Sequence, residues 1–521
     1  MLYSAGCTDS VSDSSLSPRT IVTTDGEVDD IDSFIRMLLY SNDMDIEAIV
    51  YSSSKHHWAG DGKGTLLLPQ NRYDGPQTGA PMADPVPKES HRWIGLNWIQ
   101  EQIDRYEQCY PNLLKHDKNY PSPDYLRSIL KVGNIVVEGD MTERTEGSEF
   151  IKDIMLDDEP GPLFIQLWGG TNTVARALLS IEEDYKDTDE WESIHSKVSE
   201  KVVLNIIQDQ DGTYRNYVAS VWPDIRTVYN ENQFLSFAYL WNSTVPEPMK
   251  EYLSGDWFIE NINEGHGPLA AGYLGLGSGY DLGDPEDHFG NPQMAQRMRR
   301  QIHEFISEGD SPAYFLLLDW GLRSLEHPEW GGLGGRFNPS AEDAKLWKDP
   351  QRKGGFSLGR RGRSEEKPAE KITFDRNTGD YNPYTGEVDM FYPQTRWVKV
   401  LQNDFAARAD WCVKEYSDAN HAPSASVKGG LDATASPGDL LTFKASAVDP
   451  DGDDVNFRWW QYREAGTSDG ELMLNNEEGA EVLVTLPDDV VPGTTLHLIL
   501  EASDNGVPSL THFQRIIITV K

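Results

Sequence analysis

The chain has 521 residues, enough for two to four domains, and 38% of them are apolar, so a large buried core is expected. Its formal net charge of -39 excludes DNA and RNA as partners, because a phosphate backbone requires a basic surface. No apolar stretch is long enough to cross a membrane. Cys7, Cys109 and Cys412 lack the spacing of zinc ligands, and a disulfide between Cys109 and Cys412 is compatible with the sequence.

Residues 1–18 indicate an exported protein. Ser4-Ala5-Gly6-Cys7 resembles the end of a bacterial lipoprotein signal, in which small residues precede a cysteine that becomes lipidated. The apolar run that should precede this motif is missing, so either the start is truncated or the match is accidental. The Ser- and Asp-rich segment Thr8–Pro18 is typical of a tether. We expect a periplasmic, outer-membrane or extracellular protein, with a lipid anchor at Cys7 as one alternative.

From residue 19 the pattern changes to strands that alternate with helices. Apolar residues at helical spacing occur in Ile31–Ser41 and Asn172–Ile181. Short apolar runs predict buried strands at Arg19–Thr24, Ile46–Ser52, Leu163–Trp168, Val202–Ile207 and Ala313–Leu318. This alternation predicts an α/β domain whose mostly parallel sheet is covered by helices on both faces. Ligands of such domains bind at the carboxyl ends of the strands, so the residues just after each strand are candidates for a site.

The rest of the chain divides into three parts. Residues 331–387 are rich in Gly, Arg, Lys, Asp and Pro, which predicts a loop-rich excursion. Trp397–Tyr416 has helical spacing and completes the α/β domain, placed at residues 19–421. Residues 422–521 contain short strands separated by turns, which predicts an immunoglobulin-like β-sandwich. Its turn Asp449–Asp454 is either a polar hairpin or a second calcium site.

The strongest chemical signal is the acidic loop after the first predicted strand. Asp25, Asp29 and Asp30 follow that strand and open a helix, and Gly26 allows a tight turn between them. Crowded carboxylates repel one another, and a hard divalent cation relieves the repulsion. Calcium suits a site made only of oxygen ligands. The alternative is that one aspartate merely caps the helix, which explains one acid but not three.

The run from Asp25 to Asp30 resembles the Asp-Pro-Gly-x-Asp-Asp motif that follows the first strand of nucleoside hydrolases. Glycine replaces the usual proline, and glutamate replaces the usual glycine. The resemblance implies that Asp25 is both a calcium ligand and the base that activates water. It implies further that Asp29 contacts sugar hydroxyls and that Asp30 is a bidentate calcium ligand.

Two other segments resemble calcium-binding parts of the same family. Leu167–Ala175 is similar to its Thr-Gly-(Gly/Pro)-Leu-Thr-Asn segment, in which the residue before the glycines gives a backbone carbonyl to calcium. Trp168 holds that place; the alternative is a glycine-rich turn without a ligand. Asp310 is similar to the late aspartate that starts a helix and completes the calcium site, although glycine replaces the histidine before it. The alternative for Asp310 is a capped turn.

The segments that would contact the rest of the substrate depart from the nucleoside hydrolases. Their Glu-Phe-Asn segment is missing, and Gln208 and Asp209 stand where sugar-binding groups are useful, directly after a strand. His57 and His266 lie on polar loops. We expect His57 to contact substrate and His266 to act in catalysis, although a lone histidine is more often structural. The general acid is not evident from the sequence, and His266, His57 and Glu329 are the candidates.

A narrower resemblance covers the chain from Arg19 to Lys521. The segments GDSPAYFLLL, HPEWGGLGGRF, QNDFAARADWCV and ANHAP, followed by the β module, look like the bacterial nucleoside-hydrolase-like cellulose-binding proteins. The resemblance implies a carbohydrate partner and Ca²⁺ as the cofactor. Trp330, in the second of these segments, is an aromatic platform that either lines the substrate cleft or is structural.

Two functions compete at this point. One is a secreted, calcium-dependent glycoside hydrolase that cleaves a glycosidic bond of a plant or algal cell-wall polysaccharide or a derived oligosaccharide. The other is a non-catalytic carbohydrate-binding protein on a hydrolase-like scaffold, which the missing Glu-Phe-Asn segment favours. Nucleoside salvage is disfavoured by the β module and the tether. An oligomer stays open, because related hydrolases are dimers or tetramers.

Overall fold

A computed structural model describes residues 17–67, 86–280, 282–284, 287–343 and 371–521. The predicted lipidation motif around Cys7, with most of the predicted tether, lies outside these residues. Among the helices that are described, none combines the length and the apolar character needed to span a bilayer.

An eight-stranded sheet forms the centre of the first domain. Its strands are β1 (Arg19–Thr24), β2 (Asp45–Tyr51), β3 (Leu130–Val132), β4 (Leu163–Leu167), β5 (Val202–Ile207), β6 (Arg226–Asn230), β7 (Phe337–Asp343) and β8 (Lys371–Asn377). Their order is β3-β2-β1-β4-β5-β6-β8-β7, and all neighbours are parallel except β7 and β8. The central strands are buried apolar runs, as expected for a sheet that is covered on both sides.

Helices cover both faces of this sheet. The α-helices are α1 (Val28–Leu39), α2 (Trp98–His116), α3 (Pro123–Ser128), α4 (Glu146–Leu156), α5 (Asn172–Tyr185), α6 (Trp191–Lys201), α7 (Ala219–Val221), α8 (Trp241–Thr244), α9 (Gly255–Phe258), α10 (Gly267–Ala270), α11 (Pro292–Met298), α12 (Ser311–Phe315), α13 (Tyr392–Thr395) and α14 (Val398–Trp411). Short 3-10 or π segments are Tyr214–Val218, Gln233–Phe237, Glu247–Leu253, Ile259–Asn263, Pro328–Trp330, Tyr416–Asp418 and Arg463–Ala465. Ile49 of β2 packs in the core beneath α1 and α2, whereas Val50 packs in the core beneath α4 and α5.

The second domain is a β-sandwich. A hairpin of β9 (Asp380–Asn382) and β10 (Glu387–Asp389) precedes it. Its strands are β11 (Ser424–Lys428), β12 (Asp432–Ala435), β13 (Leu440–Val448), β14 (Asn456–Gln461), β15 (Met473–Asn475), β16 (Glu481–Thr485), β17 (Thr495–Ser503) and β18 (Thr511–Val520). One sheet has the order β11-β13-β16-β15 and the other β12-β18-β17-β14. The predicted fold class, a parallel α/β domain followed by a sandwich, is confirmed.

The sandwich packs tightly against the α/β domain. The backbone N–H groups of Phe513 and Arg515 on β18 donate to the carbonyls of Trp320 and Gly321, each at 2.9 Å. The Phe513 side chain belongs to the same apolar core as α1 and α2. Trp459 lies in the sandwich core, while Trp460 packs against Trp397 of the α/β domain. These neighbouring residues of β14 therefore point to opposite faces of the sheet, as strand periodicity requires.

Two predictions about secondary structure are wrong. Ala313–Leu318 is not a strand, because its first residues belong to α12, where Pro312 in the first turn favours a helix. An apolar run of this length fits a buried strand or a buried helix equally well. The segment 331–387 is not only loops, since it contributes β7 and β8 to the main sheet and the β9–β10 hairpin. β7 is an edge strand, where Pro339 and polar residues are tolerated.

Candidate metal and sugar site

The acidic loop between β1 and α1 is held in shape by its own last aspartate. The Asp30 carboxylate accepts hydrogen bonds from the Thr24 hydroxyl, from the Asp25 N–H at 3.2 Å and from the Glu27 N–H at 3.1 Å. Gly26 has a φ of 83°, and a Cβ at this position would lie 3.0 Å from the indole nitrogen of Trp98. Asp30 therefore does act as a cap, as the alternative interpretation holds, and it also fixes Asp25.

Four aspartates converge in this region. Asp29, Asp30 and Asp310 each offer a carboxylate oxygen within 4.8 Å of the others, and all three are buried. Asp310 is the residue just before α12, and it follows Asp30 by more than 270 positions in the chain. Among the described residues, Oδ2 of Asp25 and Oδ2 of Asp310 are buried without a hydrogen-bond partner. Buried carboxylate oxygens without partners are costly, and a bound cation would satisfy them.

Electrostatics favours the same interpretation. Burial raises the pKa of Asp29 to about 7, and the charge of Asp25 adds to the effect. Burial raises the pKa of Glu27 to about 8, with Asp29 as the next cause. The pKa values of Asp25, Asp30 and Asp310 are also raised, chiefly by burial. Because the carboxylates destabilise one another when charged, this all-oxygen site fits a hard divalent cation such as Ca²⁺.

The Trp168 carbonyl belongs to the backbone segment that lies against Asp25. Trp168 directly follows β4, and at Gly169 a Cβ would lie 2.9 Å from the Cβ and Cγ of Asp25. The backbone therefore passes against Asp25 as closely as a glycine permits. The carbonyl oxygen of Trp168 accepts a hydrogen bond of 2.7 Å from Nε2 of Gln210. A carbonyl has two lone pairs, so this bond leaves one available for a cation.

The two residues expected to bind sugar after β5 have other partners. The Asp209 carboxylate pairs with Nε of Arg215 at 2.6 Å, and Nε2 of Gln208 donates to the Glu231 carbonyl at 3.2 Å. Both side chains therefore bind residues outside the acidic cluster, while Oδ1 of Asp209 is buried without a hydrogen-bond partner among the described residues. The side chain of their neighbour Gln210 donates instead to the Trp168 carbonyl, and a φ of 58° at Gln208 redirects the chain between them. Alternation along a strand cannot anticipate such a turn.

His57 lies near the cluster, and the Ser54 side chain stands between it and Asp25. The His57 N–H is 3.3 Å from the Ser54 hydroxyl, and this hydroxyl lies beside the Asp25 carboxyl group. Nε2 of His57 is 3.6 Å from the Asp284 carboxylate, which also accepts a hydrogen bond of 2.9 Å from Arg92. Burial, then the charge of Arg92, lowers the pKa of His57, so the ring is neutral. It forms part of the wall beside the acidic loop.

His266 is not brought to the cluster. Its Nδ1 lies 2.9 Å from the Asp410 carboxylate, and its Nε2 lies 2.9 Å from the Glu260 carbonyl. It precedes α10, where a Cβ on Gly267 would be 3.2 Å from the Cys109 sulfur in α2. α2 begins beside the acidic loop, and Cys109 is eleven residues further on, or roughly 16 Å along the helix axis. The proposed catalytic role of His266 has no support from this position.

Trp330 lies at the junction with the sandwich. Its ring centroid is 5.3 Å from that of His497 on β17. The preceding Glu329 is 3.9 Å from Arg226, the first residue of β6, at the amino end of the parallel strands. The acidic cluster lies at the opposite, carboxyl end. Of the two alternatives for Trp330, a structural role therefore fits its position, because the side chain does not line this site.

The sequence analysis did not single out three residues that the structure places at the site. The Tyr239 hydroxyl donates to the Glu27 carboxylate at 3.2 Å. Ser307 lies beside Asp29, and Arg92 stabilises the charged form of Glu27. Tyr239 and Arg92 lie in loops without a recognisable motif. Only Ser307 had an available signal, since it stands three residues before the predicted ligand Asp310.

Comparisons with known proteins cover both domains. The family described as "Cellulose-binding Sde182, nucleoside hydrolase-like domain" matches residues 19–337, more than half of the chain. The family described as "Cellulose-binding protein Sde0182, C-terminal domain" matches residues 440–520. No curated protein matches the chain.

Two solved structures are similar to parts or all of the chain. A nucleoside hydrolase-related hypothetical protein from Saccharophagus degradans, associated with carbohydrate metabolism, is 24% identical with a TM-score of 0.67; the match covers 97% of this chain and 100% of that one. At this identity the likeness supports the fold alone. A plant nucleoside hydrolase is 9% identical with a TM-score of 0.32, over 75% of this chain and 99% of that one, which is too distant to carry an argument.

Proposed function

Because the chain belongs to the cellulose-binding Sde182 family with a nucleoside hydrolase-like domain, we propose that it is an exported, calcium-dependent glycoside hydrolase. Its substrate would be a cell-wall polysaccharide of plants or algae, or an oligosaccharide derived from one. The family description and the carbohydrate association of the Saccharophagus degradans protein support a carbohydrate substrate.

The observation that carries this proposal is the convergence of Asp25, Asp29, Asp30 and Asp310. Three of them have oxygens within 4.8 Å of one another, and the fourth has a buried oxygen without a hydrogen-bond partner among the described residues. A merely structural loop needs the Asp30 cap but gains nothing from the other buried acids. Asp25, Asp30, Asp310 and the Trp168 carbonyl would hold the Ca²⁺.

The residues suit the hydrolysis of a glycosidic bond. A bound Ca²⁺ would supply a positive charge that lowers the pKa of water and orients sugar hydroxyls. Asp25 takes a proton from the water that attacks the anomeric carbon. Asp29 accepts hydrogen bonds from the sugar hydroxyls. The surrounding carboxylates stabilise the positive charge that develops on the sugar ring in the transition state.

Asp25→Asn tests this mechanism. The amide keeps the size of the side chain but cannot accept a proton, so we expect release of reducing sugar from a glycan library to fall by at least about 10³-fold. Thermal unfolding of the variant should stay cooperative. The matched control is Asp209→Asn, at a buried carboxylate that pairs with Arg215 and is not one of the four converging aspartates. Undiminished sugar release by the Asp25 variant would overturn the assignment.

A second function, carbohydrate binding without catalysis, is favoured by one specific observation. His266, one of the candidates for the general acid, pairs with Asp410 roughly three helical turns from the acidic loop, so it cannot protonate a leaving group there. Sedimentation with insoluble cellulose, with Ca²⁺ or with a chelator, distinguishes the two functions. Binding that persists in Asp25→Asn, with no sugar released by the unaltered chain, would favour the binding protein.

A further inference from the structure

The two described cysteines meet at a junction of three helices. Cys109 lies on α2, and Cys412 directly follows α14, 303 positions later in the chain. Both are buried, and both carry free thiols. Gly267, at the start of α10, covers the pair: a Cβ there would be 3.2 Å from the Cys109 sulfur and 3.2 Å from the Cys412 Cβ.

We propose that Cys109 and Cys412 form a disulfide that locks α14 to α2 in the mature protein. Two cysteines can be bridged only if their side chains lie close together, and here both side chains lie against the same position at Gly267. The bridge would close a loop that contains most of the α/β domain, including β4, β5 and Asp310. Cross-links over such long loops restrict the unfolded chain the most.

The chemistry balances with an oxidised dithiol, that is, a protein or small-molecule disulfide, as the oxidant. The Cys109 thiolate attacks one sulfur of the oxidant and releases the other as a thiolate, giving a mixed disulfide. Cys412 then loses its proton and attacks the Cys109 sulfur, which releases the second thiolate of the oxidant. Two protons leave the protein, and the oxidant gains two electrons.

Burial determines when this exchange takes place. Cys109 has no exposed surface and Cys412 is 5% exposed, so an oxidant does not reach them in the folded chain. Exchange therefore accompanies folding, before α10 and α14 close over α2. The folded, reduced protein should keep its thiols, whereas a chain that folds in an oxidising medium should lose them.

The test is refolding of the full chain carrying Cys7→Ser, with oxidised and reduced glutathione or with reductant alone. Alkylation after denaturation counts the free thiols, and peptide mass mapping locates the link. We expect no free thiols and a Cys109–Cys412 peptide after oxidative refolding, but two thiols when the folded, reduced protein meets oxidised glutathione. The oxidised form should unfold at a midpoint higher by about 5 °C.

Cys109→Ser and Cys412→Ser provide matched controls. After oxidative refolding, each variant should carry one alkylatable thiol or one glutathione adduct. Its unfolding midpoint should be the same after oxidative and after reductive refolding. Two free thiols in the well-folded Cys7→Ser chain after oxidative refolding would overturn the proposal. So would an oxidised form no more stable than the reduced form. Neither result bears on the acidic site.

Discussion

At the scale of single residues, two glycines allow the acidic side chains to approach one another. Gly169 lets the backbone after β4 lie against Asp25, and Gly309 leaves room for the Asp29 carboxylate. A Cβ on Gly309 would lie 2.4 Å from Oδ2 of Asp29. Glycine at position 309, where the nucleoside hydrolases have histidine, thus has a steric purpose here.

Gly309→Ala should therefore push the Asp29 carboxylate and the backbone next to the ligand Asp310 apart, without removing any ligand. We expect the increase in the unfolding midpoint caused by Ca²⁺ to fall by at least half, because the carboxylates no longer converge. The exposed Ser243→Ala is the control and should respond to Ca²⁺ like the unaltered chain. Differential scanning calorimetry measures both midpoints. If Gly309→Ala responded to Ca²⁺ like the unaltered chain, the close approach of Gly309 to Asp29 would not be needed for Ca²⁺ binding.

The acidic site also predicts how stability depends on pH. Asp29 and Glu27 have pKa values of about 7 and about 8 in the folded chain, above the values of about 4 in an unfolded chain. Without Ca²⁺, their contribution to stability is complete below pH 4 and is lost as the pH rises towards 8, because folding then opposes ionisation.

Calcium should reverse this trend, since it favours the ionised form of the site. Unfolding midpoints measured at pH 5, 6.5 and 8, with Ca²⁺ and with a chelator, should diverge as the pH rises. Asp310→Asn should reduce the divergence. If Ca²⁺ stabilised the chain most at pH 5, the cation would not be bound by these carboxylates.

At the scale of elements, a buried ion pair joins α1 to the segment that carries Asp310. Nη1 of Arg36 lies 3.2 Å from Oε1 of Glu308, and neither side chain is exposed. Glu308 also accepts a hydrogen bond of 2.6 Å from Ser311, in the first turn of α12. The pair therefore connects the helix after the acidic loop to the helix after Asp310, and so fixes the distance between the two sources of ligands.

Arg36→Met should cost about 3–5 kcal/mol of unfolding free energy, because Glu308 would be left buried and unpaired. The double variant Arg36→Met with Glu308→Gln should recover a large part of this loss, since a neutral amide is cheaper to bury. Urea unfolding of the two variants measures both effects. Equal destabilisation by the single and the double variant would show that packing, not charge, dominates at this position.

At the scale of the whole molecule, the sandwich shares an apolar core with the α/β domain, so the two domains are held together by packing and not by a linker alone. The Arg515 guanidinium reaches the Gly331 carbonyl at 2.6 Å, and His497 lies 3.1 Å from the same side chain. Burial, then the charge of Arg515, lowers the pKa of His497 to about 3. The junction between the domains therefore contains a histidine that must stay neutral.

Acid should weaken this junction. The contribution of His497 is complete above its unfolded pKa of about 6.5 and is lost as the pH falls towards about 3; roughly 2 kcal/mol should be gone by pH 5. His497→Gln cannot gain a proton, so its free energy of unfolding should fall less between pH 7 and pH 5. Denaturant unfolding at both pH values tests this, and parallel losses in the two chains would contradict it.

The sequence by itself determined the structural features that depend on residues close together in the chain. The acidic loop, the strand–helix alternation and the opposite faces of Trp459 and Trp460 follow from local spacing, because turns and the periodicity of strands act over a few residues. The sandwich was evident from short strands separated by turns. Trp168 and Asp310 were found through the family resemblance, and spacing alone would not have connected them.

Only the tertiary structure decided which distant loops meet. Ser307, Tyr239 and Arg92 join the acidic loop, whereas His266 and Trp330 lie elsewhere, although all of them stand in polar or aromatic segments of similar appearance. The physical reason is that strand order and the packing of α2, α10 and α14 fix these positions, and both arise from contacts between residues far apart in the chain.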